Sequence, residues 1–138
     1  MLANGAKLEF KSKTVTTYTK LKGLKEIPEI GVDPEKVENT DLDDTQKMYE
    51  MGIGDPGDIT YKFKYDNTAK DSPYRVLRAY EASGENLSFK ETLKDGTTTD
   101  FTGQVSVKRT GGGVNGVIEF DLNIALSSAF EITDPEIA

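Results

Sequence analysis

From Asp58 to Asp66 the chain alternates strictly. Ile59, Tyr61, Phe63 and Tyr65 share one parity, and Thr60, Lys62, Lys64 and Asp66 the other. A side-chain period of two fits an extended strand with one dry face and one wet face. Val117 to Leu126 repeats the pattern, with Ile118, Phe120, Leu122, Ile124 and Leu126 against Glu119, Asp121 and Asn123. Two such strands must bury their apolar parities against other elements, so a mainly β domain follows. The expected core face is Ile59, Tyr61, Phe63, Tyr65, Ile118, Phe120, Leu122 and Ile124.

Other strands are legible around this pair. Leu87, Phe89 and Leu93 mark one, with Glu91 intruding on the apolar parity; Phe101, Gly103, Val105 and Val107 mark another. Asp95-Gly96 between them is a tight-turn signal, so 87–94 and 98–108 read as a hairpin. Residues 7–11 and 14–22, rich in Thr, Val and Tyr, read as a pair of N-terminal strands. One helix is predicted over 73–83. Ser72 supplies the N-cap, Pro73 the first helical position, Val76, Leu77 and Tyr80 an apolar stripe, and Gly84 the stop.

Residues 26–57 resist assignment. They hold Pro28, Pro34 and Pro56, glycines at 31, 52, 54 and 57, and acids at Asp41, Asp43 and Asp44. Loops beyond about 12–15 residues are uncommon in compact domains and are usually functional or disordered. This one carries Val32, Val37, Leu42, Met48, Tyr49, Met51 and Ile53, which need something to bury against. A partner subunit and a fold-back onto the same domain both satisfy that need. Residues 1–6 and 130–138 read as terminal arms, so the chain is expected to be a single domain over 1–138.

Composition narrows the chemistry. The chain has no Cys and no His. Thiolate nucleophiles, disulfides, Ser-His-Asp triads and imidazole metal ligands are therefore excluded. A net charge of −7 argues against a nucleic-acid groove or an anionic membrane surface as partner. No apolar run approaches the roughly 18 residues of a membrane helix, and Met1-Leu2-Ala3-Asn4-Gly5-Ala6-Lys7 has no signal-peptide core, so an unprocessed protein made inside the cell is expected. Hydrophobic residues make up 36%, which suits a thin core, long polar loops, or surfaces completed by other subunits.

Candidate motifs fail on their own requirements. Gly111-Gly112-Gly113-Val114-Asn115-Gly116 matches GxGxxG by letter, but a dinucleotide site needs a helix next and a strand follows. Counting a calcium loop from Asp41 places Gln46 and Gly52 where Gly and Glu are required. Glu91 and Asp100 are the only carboxylates suggesting a glycosidase pair, and Glu91 reads better as a strand-end, bulge or subunit-junction residue. Asn86-Leu87-Ser88 is a glycosylation sequon by letter only. No catalytic residue, cofactor or metal site is expected.

Several features occur in a telling order. A strand is followed by the acidic loop Thr40-Asp41-Leu42-Asp43-Asp44, then by Gly52-Ile53-Gly54-Asp55-Pro56-Gly57-Asp58 leading into the aromatic strand. After the helix come Phe89-Lys90-Glu91-Thr92-Leu93-Lys94-Asp95-Gly96-Thr97 and Phe101-Thr102-Gly103-Gln104-Val105-Ser106. From about Leu24 to Leu126 the chain resembles the major tail protein, or tail tube protein, of long-tailed, lambda-like siphophages. The resemblance implies a β-sandwich with one flanking α-helix and a long loop. It also implies six copies closing a ring and rings stacking into a tube that conducts DNA into the host. It implies a place in the virion tail after synthesis in the bacterial cytoplasm, and contacts with tape measure, tail tip and terminator proteins. The expected inter-subunit residues are Val37, Leu42, Asp43, Asp44, Met48, Tyr49, Met51 and Ile53. Glu119 and Asp121, on the polar parity of the last strand, are expected to face the bore. An acidic chain suits a channel that passes DNA without holding it.

Two other readings remain. A head–tail connector or tail terminator would form one ring and stop. A monomeric carbohydrate- or surface-binding β-sandwich would want an exposed aromatic platform, and the chain has no Trp.

Overall fold

The computed structural model describes residues 1–31, 36–38, 49–51 and 58–136. In chain order the strands are β1 (Lys7–Lys11), β2 (Thr19–Leu21), β3 (Leu24–Glu26), β4 (Lys36–Glu38), β5 (Tyr49–Met51) and β6 (Asp58–Lys64). Helix α1 (Pro73–Ser83) follows, then β7 (Leu87–Thr92), β8 (Thr98–Thr110), β9 (Glu119–Leu126) and β10 (Glu131–Thr133). All pairings are antiparallel. The main sheet runs β2-β1-β7-β8-β9-β6-β3, with β10 added beside the start of β8. β4 and β5 form a separate two-stranded hairpin.

The fold is mainly β with one helix, as the sequence predicts. Its two layers are the two ends of one continuous sheet. β8 is 13 residues long and belongs to both. Its first half pairs with β7 and its second half with β9. The sheet bends so far that its edge strands β2 and β3 are consecutive in the chain, joined through Lys22 and Gly23. The Gly23 carbonyl accepts the Lys64 N–H at 2.8 Å and ties that turn to β6.

The core lies inside the bend. Tyr61, Phe63, Phe120, Leu122 and Ile124 are buried as the alternation requires, together with Leu8, Leu87 and Phe89 from the other layer. Phe63 and Phe120 stack at 5.2 Å between centroids, and Phe89 and Phe101 at 5.5 Å. Helix α1 closes the open side of this core and takes its predicted bounds. Gly84 adopts φ 69°, the left-handed conformation that lets its N–H bond back to the Tyr80 carbonyl. The helical stripe is Tyr74, Leu77 and Tyr80: Leu77 is fully buried, Tyr80 meets Phe10 edge-on and Tyr74 meets Phe120. Val76, which the periodicity places in that stripe, sits half-buried at its margin.

Some expectations change. Ile118 lies before β9 and is exposed, because it sits where the β8–β9 hairpin runs past the end of β6; Tyr65 is only partly buried. The 14–22 strand shrinks to β2, and β3 was not anticipated. The 26–57 segment is not all loop, since its start belongs to β3 and it contains the β4–β5 hairpin. Within the C-terminal arm, which the sequence leaves open as loose or docked, β10 pairs with β8 and Phe130 meets Phe101 edge-on at 5.7 Å. Glu91 is the penultimate residue of β7, close to a strand end as expected, and its side chain is buried in the core.

Candidate assembly interface

Cross-strand pairing puts the polar parities of β1, β7, β8, β9 and β6 on one face, opposite the core. Helix α1 packs on the core side, through Leu77 and Tyr74, and so leaves this polar face uncovered. Glu119 and Asp121 both lie on it, as predicted, and both are half-buried. Glu119 is opposite Lys64 and Thr110 and forms a salt bridge with Lys25 at 3.0 Å. Asp121 is opposite Lys62 on one side and Lys108 on the other. One carboxylate oxygen of Asp121 and one of Asp100 are buried with no hydrogen-bond partner among the described residues. Around this acidic pair, therefore, charge is balanced by lysines, although the chain as a whole is acidic.

At the other end of the same face Tyr18 lies across β1 and β7. The ammonium groups of Lys11 and Lys90 each sit 4.8 Å from its ring centroid, a double cation–π contact. Partial burial, together with the nearby Asp100 and Glu9 charges, pushes the Tyr18 hydroxyl above its ordinary pKa.

Of the residues expected between subunits, Val37, Tyr49 and Met51 belong to the β4–β5 hairpin, where Val37 pairs with Glu50, Glu38 with Tyr49 and Lys36 with Met51. Leu42, Asp43, Asp44, Met48 and Ile53 lie outside the described residues. β3 runs from Gly23, beside Lys64, back toward Glu26, opposite Lys62, and β6 begins at Asp58.

The described surface carries further features. The β8–β9 hairpin tip presents Val114, Val117 and Ile118 to solvent. The GxGxxG letters fall in this tip, and no helix follows it. Beside it, a pocket of about 480 Å³ opens between the β2–β3 turn and the start of α1. On the C-terminal edge, β10 is exposed throughout, Ile132 included. The tip had a signal in the glycine run 111–116, which reads as a hairpin turn, and β10 had one in the isolated hydrophobes of the C-terminal arm. The pocket draws on segments far apart in the chain.

Among the described residues one acid is buried, and its setting is structural. Glu91 is 3% exposed and accepts a 2.7 Å hydrogen bond from the Tyr61 hydroxyl, which reaches it across the bend of the sheet. Burial pushes the Glu91 carboxyl above the usual range, and the Tyr61 hydrogen bond opposes that rise. Burial, then the Glu91 charge, pushes the Tyr61 hydroxyl far above its ordinary value. Asp100, the other carboxylate considered for a glycosidase pair, lies on the opposite face of the sheet. Among the described residues no group of three or more acids could hold a metal ion, and no helix is long and apolar enough to cross a membrane.

A family model described as "Phage tail tube, TTP, lambda-like" matches residues 1–111. No curated protein sequence matches the chain. Among solved structures, a chain in the tail of an empty gene transfer agent particle, refined with C6 symmetry, superposes with a TM-score of 0.73 at 19% identity, covering 96% of this chain and 98% of that one. A chain of the sixfold-symmetrised anti-feeding prophage baseplate gives 0.71 at 10% identity, covering 99% and 97%. The SPP1 tail tube gives 0.66 at 14% identity, covering 100% of this chain and 81% of that one. At these identities the structures establish the shared fold.

Proposed function

The chain belongs to the lambda-like phage tail tube family, a structural family, and from that premise we propose that six copies close a ring and that rings stack into a tube conducting the genome into the host. The family match over residues 1–111 carries this reading. The fold shared with chains of C6-symmetric tails and a sixfold baseplate supports the ring number. The protein acts as a virion component by assembling, not by catalysis. It is made in the host cytoplasm, and its remaining contacts are with tape measure, tip and terminator proteins.

The geometry supplies a division of labour. The uncovered polar face lines the bore, because an inner wall must stay wet and present no apolar grip to the passing duplex. Glu119 and Asp121 then face DNA among Lys25, Lys62, Lys64 and Lys108. Opposite signs interleaved at cross-strand spacing offer the phosphates no uninterrupted basic track. The helix side faces outward. The 26–57 segment, with Val37, Leu42, Asp43, Asp44, Met48, Tyr49, Met51 and Ile53, joins one subunit to others.

Deleting residues 37–49 tests the assignment. The variant is expected to keep the cooperative unfolding of the main sheet and to remain as free subunits in sedimentation. Normal tube formation by the deletion variant would overturn the role given to this segment.

A further inference from the structure

β8 changes partners at a single residue. Gly103 lies opposite Leu87 of β7 on one side and Leu126 of β9 on the other, so it ends one layer and begins the next. The packing there is close: a Cβ on Gly103 would meet the Ala125 carbonyl oxygen and Ile124 Cγ2 at 2.6 Å. Glycine permits that approach of two backbones and leaves the strand free to bend.

A side-chain contact closes the inside of the same bend. Followed across the sheet, Glu91 is level with Thr99 of β8, four residues before Gly103. Tyr61, through Leu122 of β9, is level with Val107, four residues after it. The Tyr61 hydroxyl donates to Glu91 Oε2 at 2.7 Å and so ties one arm of the bend to the other. Phe101, two residues before Gly103, fills the space between the layers, stacked on Tyr61 at 6.4 Å and on Phe89 at 5.5 Å.

The carboxyl has neutral surroundings. β1 meets it with Leu8, β8 with Thr99 and β6 with Tyr61. Lys7, Glu9, Lys62, Lys90 and Asp100 have the opposite parity and lie on the polar face, where Glu131 of β10 pairs with Asp100. Helix α1 turns Tyr74, Leu77 and Tyr80 to the core, with Tyr74 on Phe120 and Tyr80 on Phe10. Among the described residues the Tyr61 hydroxyl is the one donor to Glu91. Protonated, Glu91 is neutral and keeps that bond. Ionised, it sets a charge among apolar side chains with a single donor, a state that entering water relieves. Burial raises the Glu91 pKa and raises that of Tyr61 much further, so Glu91 is the member of the pair that titrates first.

We propose that Glu91 and Tyr61 form a pH-sensitive latch across a hinge at Gly103, closed while Glu91 is protonated and loosened when it ionises. The latch belongs to the single subunit and stands apart from the tube reading. The bend sets the curvature of the uncovered polar face, so its opening reshapes that surface.

The chain has no native cysteine, so paired spin labels report the bend cleanly. Thr60→Cys and Thr92→Cys place them on the polar parity beside Tyr61 and Glu91. Distances are read by pulsed electron paramagnetic resonance on dilute free subunits from acid to mildly alkaline pH. The expected result is a narrow distribution at acid pH that shifts to longer distance and broadens as Glu91 ionises. Glu91→Gln, whose amide carbonyl accepts from Tyr61 without ionising, should stay narrow throughout, and Tyr61→Phe should be broad even at acid pH. Unlabelled protein gives a second readout. After correction for intrinsic exchange, β7 amides should lose protection with rising pH in the wild type and not in Glu91→Gln. Distances and protection that ignore pH in the wild type overturn the latch. A response that persists in Glu91→Gln overturns it too, by assigning the motion to other groups, and a narrow Tyr61→Phe distribution removes the hydrogen bond from the account.

Discussion

Replacing Phe120 with alanine probes the contact that fastens the helix to the sheet. The ring is fully buried, stacked on Phe63 with planes 7° apart and met edge-on by Tyr74 of α1 at 5.4 Å. Truncating a buried Phe costs about 3–5 kcal/mol through lost transfer energy and the cavity left behind. Each aromatic pair adds about 0.5–1.5 kcal/mol beyond burial, which places this site in the upper half, at about 4–5 kcal/mol. That is a large share of the roughly 5–15 kcal/mol that holds a domain folded. At about 2–4 °C per kcal/mol for a domain near this size, Tm should fall by roughly 8–20 °C. The assay is urea unfolding of the free subunit followed by far-ultraviolet circular dichroism. Protein is kept dilute, because assembly would add its own stabilisation. A double-mutant cycle with Tyr74→Ala should show coupling of about 0.5–1.5 kcal/mol. A cost under about 1 kcal/mol, in the range of surface substitutions, would refute the burial of this face, and additive single costs would refute the helix contact.

Two further outcomes follow from the core. The Glu91 pKa is raised in the folded state, so its stabilising contribution is complete at acid pH and is lost as pH rises through the folded value. Urea midpoints should therefore fall, relative to Glu91→Gln, as pH is raised from the carboxylate range to neutrality, and parallel pH profiles would contradict this. At Gly103 an added Cβ would lie 2.6 Å from both the Ala125 carbonyl oxygen and Ile124 Cγ2, so Gly103→Ala should cost about 1–3 kcal/mol in the same unfolding assay, and an unchanged midpoint would show that β8 and β9 are not so close there.

Where neighbours along the chain decide the outcome, the sequence was informative. Ser72, Pro73 and Gly84 set the helix because capping is local. The 58–66 and 117–126 alternation identified the core because strand parity is local too. Ile118 escaped the rule because parity does not reveal where a partner strand ends. Glu91 looked like an interruption because its partner, Tyr61, reaches it only after the sheet bends. The pocket joins residues near 10, 20, 65 and 73, so only the closed fold assembles it. Glu119 and Asp121 lie on the polar parity that the alternation of β9 indicates, but the four lysines around them come from β3, β6 and β8, which sequence neighbours do not reveal.

Electron microscopy of the purified wild-type protein tests the central claim most directly. The account predicts long tubes of stacked sixfold rings. Their bore is lined by the polar sheet face bearing Glu119 and Asp121, with α1 on the outside. Monomers, single rings that never stack, or tubes with α1 lining the bore would contradict it.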